Sequence, residues 1–162
     1  MKGVMYSDAP MDEIFLSQDE ANMLIEMPKQ RVNNGITYLP GRGVSMILPL
    51  VSEDHQEQFS LDIYRGRIDL AKLRYQNRGR QVVILLRLDL LGPIHTNPDG
   101  AELPCPHLHK YRQGYSDKWA YPIPSDFANL ADTWQTLQDF MHYCNIIRPP
   151  EIQRGAEDWN DK

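Results

Sequence analysis

One stretch constrains this chain more than any other: Val82-Val83-Ile84-Leu85-Leu86, running on into Arg87-Leu88-Asp89-Leu90-Leu91. An apolar run of this length between turn signals reads as a strand buried on at least one face. Arg87 and Asp89 break it two residues apart, so on a strand they share a face. Val82, Ile84, Leu86, Leu88 and Leu90 are then expected on the other. Gln81 to Leu91 becomes the central strand. Beyond it, Asn97-Pro98-Asp99-Gly100 has the residue order of a type I turn. Three of the chain's five histidines flank that turn: His95 before it, His107 and His109 after it.

The neighbouring stretches supply the rest of a sheet. Phe59, Leu61 and Ile63 alternate with Ser60, Asp62 and Tyr64, the pattern of a half-buried strand. Arg65-Gly66 connects it to a strand expected over Arg67 to Tyr75, and Gln76-Asn77-Arg78-Gly79 reads as the next turn. Ile36 to Leu39, Val44 to Val51 and Lys118 to Ile123 are further strands, with Pro49 marking an edge or bulge. Ser17-Gln18-Asp19-Glu20 is a capping box, which predicts a helix from Gln18 to Met27, stopped by Pro28. Its Met23, Leu24 and Met27 are expected in the core. A second helix is predicted from Asn129 as cap, with an apolar stripe of Leu130, Trp134, Leu137, Met141 and Cys144. The fold class is α+β: a single domain with an antiparallel meander sheet and an N-terminal and a C-terminal helix packed on one face.

A length of 162 residues suits one domain, expected over 17–150 between a loose leader (1–16) and a polar, frayed tail (151–162). No apolar run reaches the ~18 residues of a membrane span. The first residues hold no hydrophobic signal core, so a cytoplasmic protein is expected. Cys105 and Cys144 form no CxxC unit, in keeping with a reducing compartment. A net charge of -5 argues against broad nucleic-acid binding, while a local basic face stays open.

If the His107–His109 strand neighbours the central one, Arg87 and Asp89 share its face. That patch offers an acid, a base, a cation for developing phosphate charge and a carboxylate to orient an imidazole. Arg65, Lys72, Arg74, Arg78 and Arg80 then supply phosphate contacts. The catalytic candidates are His107, His109, Arg87 and Asp89, with His95 and Tyr111 as lesser ones, and no cofactor or metal is expected. Two other assignments compete. Arg87 and Asp89 can be a structural ion pair, or His95, His107, His109 and a carboxylate can be metal ligands. Cys105, four residues before His109, also allows a Cys–His nucleophile. Tyr111, Tyr115, Trp119 and Tyr121 can stack on bases or form a partner surface.

RYQNR (Arg74 to Arg78), HTNPDG (His95 to Gly100) and PHLHKYRQGYSDKWA (Pro106 to Ala120) resemble the signature of an uncharacterised family of small bacterial and phage-borne proteins. More distantly, Arg87-Leu88-Asp89, Pro93-Ile94-His95 and His107-Leu108-His109 resemble the pattern of TumE-type toxins of toxin–antitoxin pairs. Leu90 stands where that pattern has Asn, and the histidine runs are thinner. The resemblance implies a ribonuclease-like toxin of a mobile-element or defence context, with RNA as substrate and an antitoxin as partner. A different class of reading, from the acidic charge and the aromatic loop, is a non-enzymatic phage-encoded inhibitor of a host defence complex. A histidine-ligated metalloenzyme is the third.

Overall fold

The computed structural model describes residues 15–39, 41, 43–66 and 72–154. In chain order these form α1 (Gln18–Glu26), β1 (Lys29–Arg31), β2 (Ile36–Tyr38), β3 (Ser45–Ser52), β4 (Gln58–Arg65), β5 (Leu73–Gly79) and β6 (Val83–Leu91). Then follow β7 (His95–Thr96), β8 (Glu102–Leu103), β9 (His107–Lys110), β10 (Ala120–Tyr121), α2 (Thr133–Tyr143), β11 (Ile146–Arg148) and β12 (Glu151–Gln153). One sheet runs β10-β9-β6-β5-β4-β3-β1-β11, and β3 to β6 are a continuous antiparallel meander. The fold is α+β in a single domain, with a helix near each end of the described chain. Among the described residues no helix is long and apolar enough to cross a membrane.

The sheet has two unlike faces because β4 and β5 alternate strictly. Phe59, Leu61, Ile63, Leu73 and Tyr75 are buried in the core, while Ser60, Asp62, Tyr64, Arg74, Gln76 and Arg78 turn the other way. The helices cover the apolar face. Tyr75 stacks on Phe140 at 6.0 Å between ring centroids and donates its hydroxyl to the Thr133 carbonyl of α2 at 2.9 Å. On α1, Ala21, Leu24 and Ile25 face inward.

β6 departs from simple alternation. Asn77 faces Leu86 but Arg78 faces Ile84, so Leu85 is an extra residue in a β-bulge. Val83 and Leu85 are buried before the bulge, and Leu86, Leu88 and Leu90 after it. The expectation that Val82 and Ile84 share the core face is therefore corrected: Val82 is exposed and Ile84 half-buried on the polar side.

Other boundaries differ for identifiable reasons. Gln76 to Gly79 are strand rather than turn, and the turn falls at Arg80 and Gln81, both with positive φ. Gly79 serves packing: a Cβ there would lie 3.1 Å from Leu85 Cδ1. Of the strand expected over Arg67 to Tyr75, the first five residues lie outside the described residues. Met23, expected in the core, is exposed. α2 is capped by Asp132, whose carboxylate accepts from the Gln135 amide at 3.0 Å, and Asn129 instead offers its carbonyl to the Thr136 hydroxyl. Leu16, counted with the leader, is buried in the core, while 1–14 lie outside the described residues. Of the tail expected to be frayed from 151, Glu151–Gln153 instead pairs in parallel with β2, and 155–162 lie outside the described residues.

A buried lysine ties the helix ends together. Lys29 Nζ donates to the carbonyls of Ile25 (2.9 Å), Met27 (3.0 Å) and Cys144 (2.8 Å), and lies 4.8 Å from the centre of the Phe59 ring. It thus gives hydrogen bonds to the unpaired C-terminal carbonyls of both helices. Burial pulls its pKa down from 10.5 to about 8, which leaves it charged at neutral pH. The unfolded chain then binds more protons between those values, so this group makes stability rise with pH from about 8. Above 9 the buried Cys144 thiol, pushed up to about 12, opposes it.

Two outcomes are expected. Lys29→Met should destabilise by on the order of 3 kcal/mol or more, since three carbonyls lose their donor, and should abolish the gain in denaturation midpoint between about pH 8 and 9. Leu86→Ala should cost about 2–5 kcal/mol in chemical denaturation; an unchanged midpoint would contradict its place in the core.

Candidate functional site

β9 pairs antiparallel with β6 so that Arg87 lies opposite His109 and Asp89 opposite His107. All four side chains therefore stand on the polar sheet face, which α1 and α2 leave uncovered. Two segments close over this end of the face. The β7–β8 hairpin docks through Asn97, whose amide donates to the Ala120 carbonyl (3.0 Å) and accepts from the Ala120 amide (2.8 Å). Its His95 ring packs 4.6 Å from the ring of His109 and 5.6 Å from that of His107. The loop after β9 bends at Gly114 (φ 87°) and is held by Arg112 over Trp119 at 4.2 Å. It returns Asp117 to the cluster. Under this cover His107 and His109 are each 1% exposed.

The hydrogen bonds fix most of the protons. Arg87 donates through Nε to Asp89 Oδ1 (2.9 Å), through Nη2 to Asp89 Oδ2 (3.1 Å) and through Nη1 to Asp117 Oδ2 (2.8 Å). Its Nη2 also lies 3.0 Å from His109 Nε2, which must accept because guanidinium only donates. His109 Nδ1 donates to the Asp117 carbonyl at 2.8 Å and His107 Nδ1 to the Pro104 carbonyl at 3.1 Å, since a carbonyl only accepts. Both rings thus direct an Nε2 lone pair inward. His107 Nε2 is buried without a hydrogen-bond partner, 3.5 Å from Asp89 Oδ2. Burial opposes the charge on Asp89, but the two hydrogen bonds and the positive charge of Arg87 outweigh it and hold the carboxyl well below the usual range. Burial lowers the pKa of His107, which favours the neutral ring.

The chain belongs to DUF6978, a family of unknown function. The family model matches residues 16–146, and so spans every residue of this cluster. Neither a curated protein nor a solved structure matches the chain.

Of the sequence candidates, Arg87, Asp89, His95, His107 and His109 come together. Tyr111 does not. β9 ends at Lys110, the Tyr111 amide bonds the Leu85 carbonyl at the bulge, and the ring enters the core under α1. There its hydroxyl accepts from the Leu16 amide (2.8 Å) and donates to the Leu16 carbonyl (3.0 Å). Asp117 was missed, because a loop acid eight residues from His109 carries no periodic signal. Cys105 is a poor nucleophile: burial first, then the charge of Asp89, pushes its thiol up.

The basic residues divide. Arg78 is paired with Asp62, and Arg80 with Glu57 and Glu20. Arg74 stacks on Tyr64 at 4.9 Å and sits opposite Asp89 in the ladder. With Lys72 and Asp89 it lines a cleft of about 280 Å³ that reaches Gly92 and Pro93. That cleft leads from solvent to the wall of the cluster.

Removing the central cation tests how the network is held. Arg87→Met leaves two carboxylates without their partner and should cost on the order of 3–5 kcal/mol in chemical denaturation. A loss below about 1 kcal/mol would put the pair in the class of surface ion pairs.

Proposed function

We propose that this chain is a ribonuclease-like toxin of a mobile-element or defence context, acting on RNA in the cytoplasm and restrained by a protein antitoxin. The observation that carries the reading is the cleft lined by Lys72, Arg74 and Asp89, the last of which also lies 3.5 Å from the Nε2 atoms of His107 and His109. The Arg74 guanidinium lies over the Tyr64 ring at 4.9 Å and pairs with no carboxylate of the described residues, which leaves its planar fork of donors for phosphate. The three pieces that resemble TumE-type toxins fall within this one cluster, which supports the same reading.

The division of labour follows from burial. His107 and His109 are too enclosed to reach a polymer directly, whereas His95 is only half-buried. His95 is therefore the acid–base group offered to substrate, with Lys72 and Arg74 on the phosphates. Arg87, tied to two carboxylates and to His109, orients the cluster. The aromatic loop, with Tyr115 and Tyr121 exposed, is the surface offered to an antitoxin.

Expression in bacteria provides the test. The wild type should arrest growth, and His95→Ala and Arg74→Ala should relieve the arrest at equal protein level. The purified protein should cleave RNA, and His95→Ala should lose roughly 10²–10⁴ in rate. A harmless wild type that degrades no RNA would end this reading. The inhibitor of a host defence complex would then replace it, with capture of such a complex as its positive evidence.

A further inference from the structure

The cluster contains one group that its own hydrogen bonds leave unanswered. The His107 Nε2 lone pair is buried, unpartnered and 3.5 Å from a carboxylate oxygen that is also an acceptor. Two acceptors facing each other inside a protein imply a cation or a proton between them. Arg87 supplies a cation to Asp89 and to His109 but not to His107. One oxygen of Asp89, one nitrogen of His107 and one of His109 lie within 4.8 Å of one another. An ion at their centre would answer all three.

We propose that Asp89, His107 and His109 bind a divalent first-row transition ion, which displaces Arg87 Nη2 from Asp89 and His109. Two imidazole nitrogens and one carboxylate select zinc or ferrous iron over magnesium or calcium, which prefer oxygen donors alone. The outer contacts suit the role. Each ligating ring donates Nδ1–H to a backbone carbonyl, Pro104 or Asp117, which fixes the tautomer and aims Nε2 inward. His95 packs against both rings but is not one of the three converging donors. Three protein ligands would leave a coordination position open, and one of the three, Asp89, lines the Lys72–Arg74 cleft. Arg87 is then a resident cation that keeps the donors together in the metal-free protein and competes with the ion for them.

This inference stands independently of the ribonuclease reading, because it concerns uptake by the protein without substrate. Full-length, tag-free protein stripped with chelator is titrated with Zn²⁺ by calorimetry and with Co²⁺ by visible absorption. One equivalent of each should bind, with ligand-field bands from cobalt. His107→Phe should weaken zinc binding by more than the roughly 100-fold typical of losing an outer-sphere partner. Arg87→Met should bind zinc more tightly than the wild type, since the competing cation is gone. Failure of the wild type to take up one equivalent overturns the proposal, and so does undiminished uptake by His107→Phe. Tighter binding by Arg87→Met separates this site from a salt-bridge network that merely tolerates zinc at its surface; equal or weaker binding by a folded Arg87→Met overturns the displacement of Arg87. If that variant does not fold, the wild-type and His107→Phe titrations still decide. Metal uptake without RNA cleavage supports this site and ends only the ribonuclease reading. RNA cleavage by protein that takes up no metal does the reverse.

Discussion

One guanidinium holds three separate segments in register. Arg87 is on the central strand, yet its donors reach Asp89 on that strand, Asp117 in the loop after β9 and His109 on β9 itself. Charges this enclosed are expensive to desolvate, so such a network is favourable only when complete. Completeness has a structural consequence. Asp117 must be brought back to Arg87, and its backbone carbonyl is then where His109 Nδ1 finds its acceptor. The tautomer of a histidine on one strand is thus set by an ion pair made from another.

The chain buries a second cation, and the contrast between the two is informative. Lys29 is surrounded by three neutral carbonyls at the ends of two helices, and every donor of its ammonium is used. Nothing near it is ionised in compensation and no polar atom is left over: it caps helices and does no more. Arg87 instead sits between two carboxylates, beside a histidine nitrogen that has no partner. Folding stability alone does not call for that orphan atom, which costs free energy where it is. The two buried cations therefore differ in kind: the surroundings of Lys29 are fully satisfied, and those of Arg87 are not.

How much of this was legible in the sequence depended on the range of the interaction. The capping box at Ser17 and Glu20, the alternation in β4, and the shared face of His107 and His109 are local, and were readable from spacing alone. The approach of Arg87 and Asp89 to those histidines needed only one assumption, that the two strands are neighbours. What escaped notice was long-range or non-periodic. Asp117 comes from a loop. β11 and β12 are three-residue strands recruited by β1 and β2 from far along the chain. Gly79 looked like a turn glycine because its actual reason, the nearness of Leu85, belongs to tertiary packing. Lys29 carried no signal at all, since a lysine in a short polar strand is ordinarily exposed.

The bulge at Leu85 links these levels. Val83 and Leu85 point into the helix-covered core, and strict alternation would send Arg87 and Asp89 there as well. Two ionised side chains would then lie among Leu24, Leu137 and Phe140, a placement with no compensating partners. The extra residue reverses the phase of the strand, so Leu86, Leu88 and Leu90 complete the core while Arg87 and Asp89 emerge on the polar face. Bulges next to functional sites commonly re-aim side chains in this way. Here the same step also governs β9: Leu86 to Asp89, directly after the bulge, are the residues that pair with Lys110 to His107. The backbone irregularity therefore precedes the cluster in cause as well as in sequence, because without that change of phase the imidazoles of β9 would have neither cation nor carboxylate beside them.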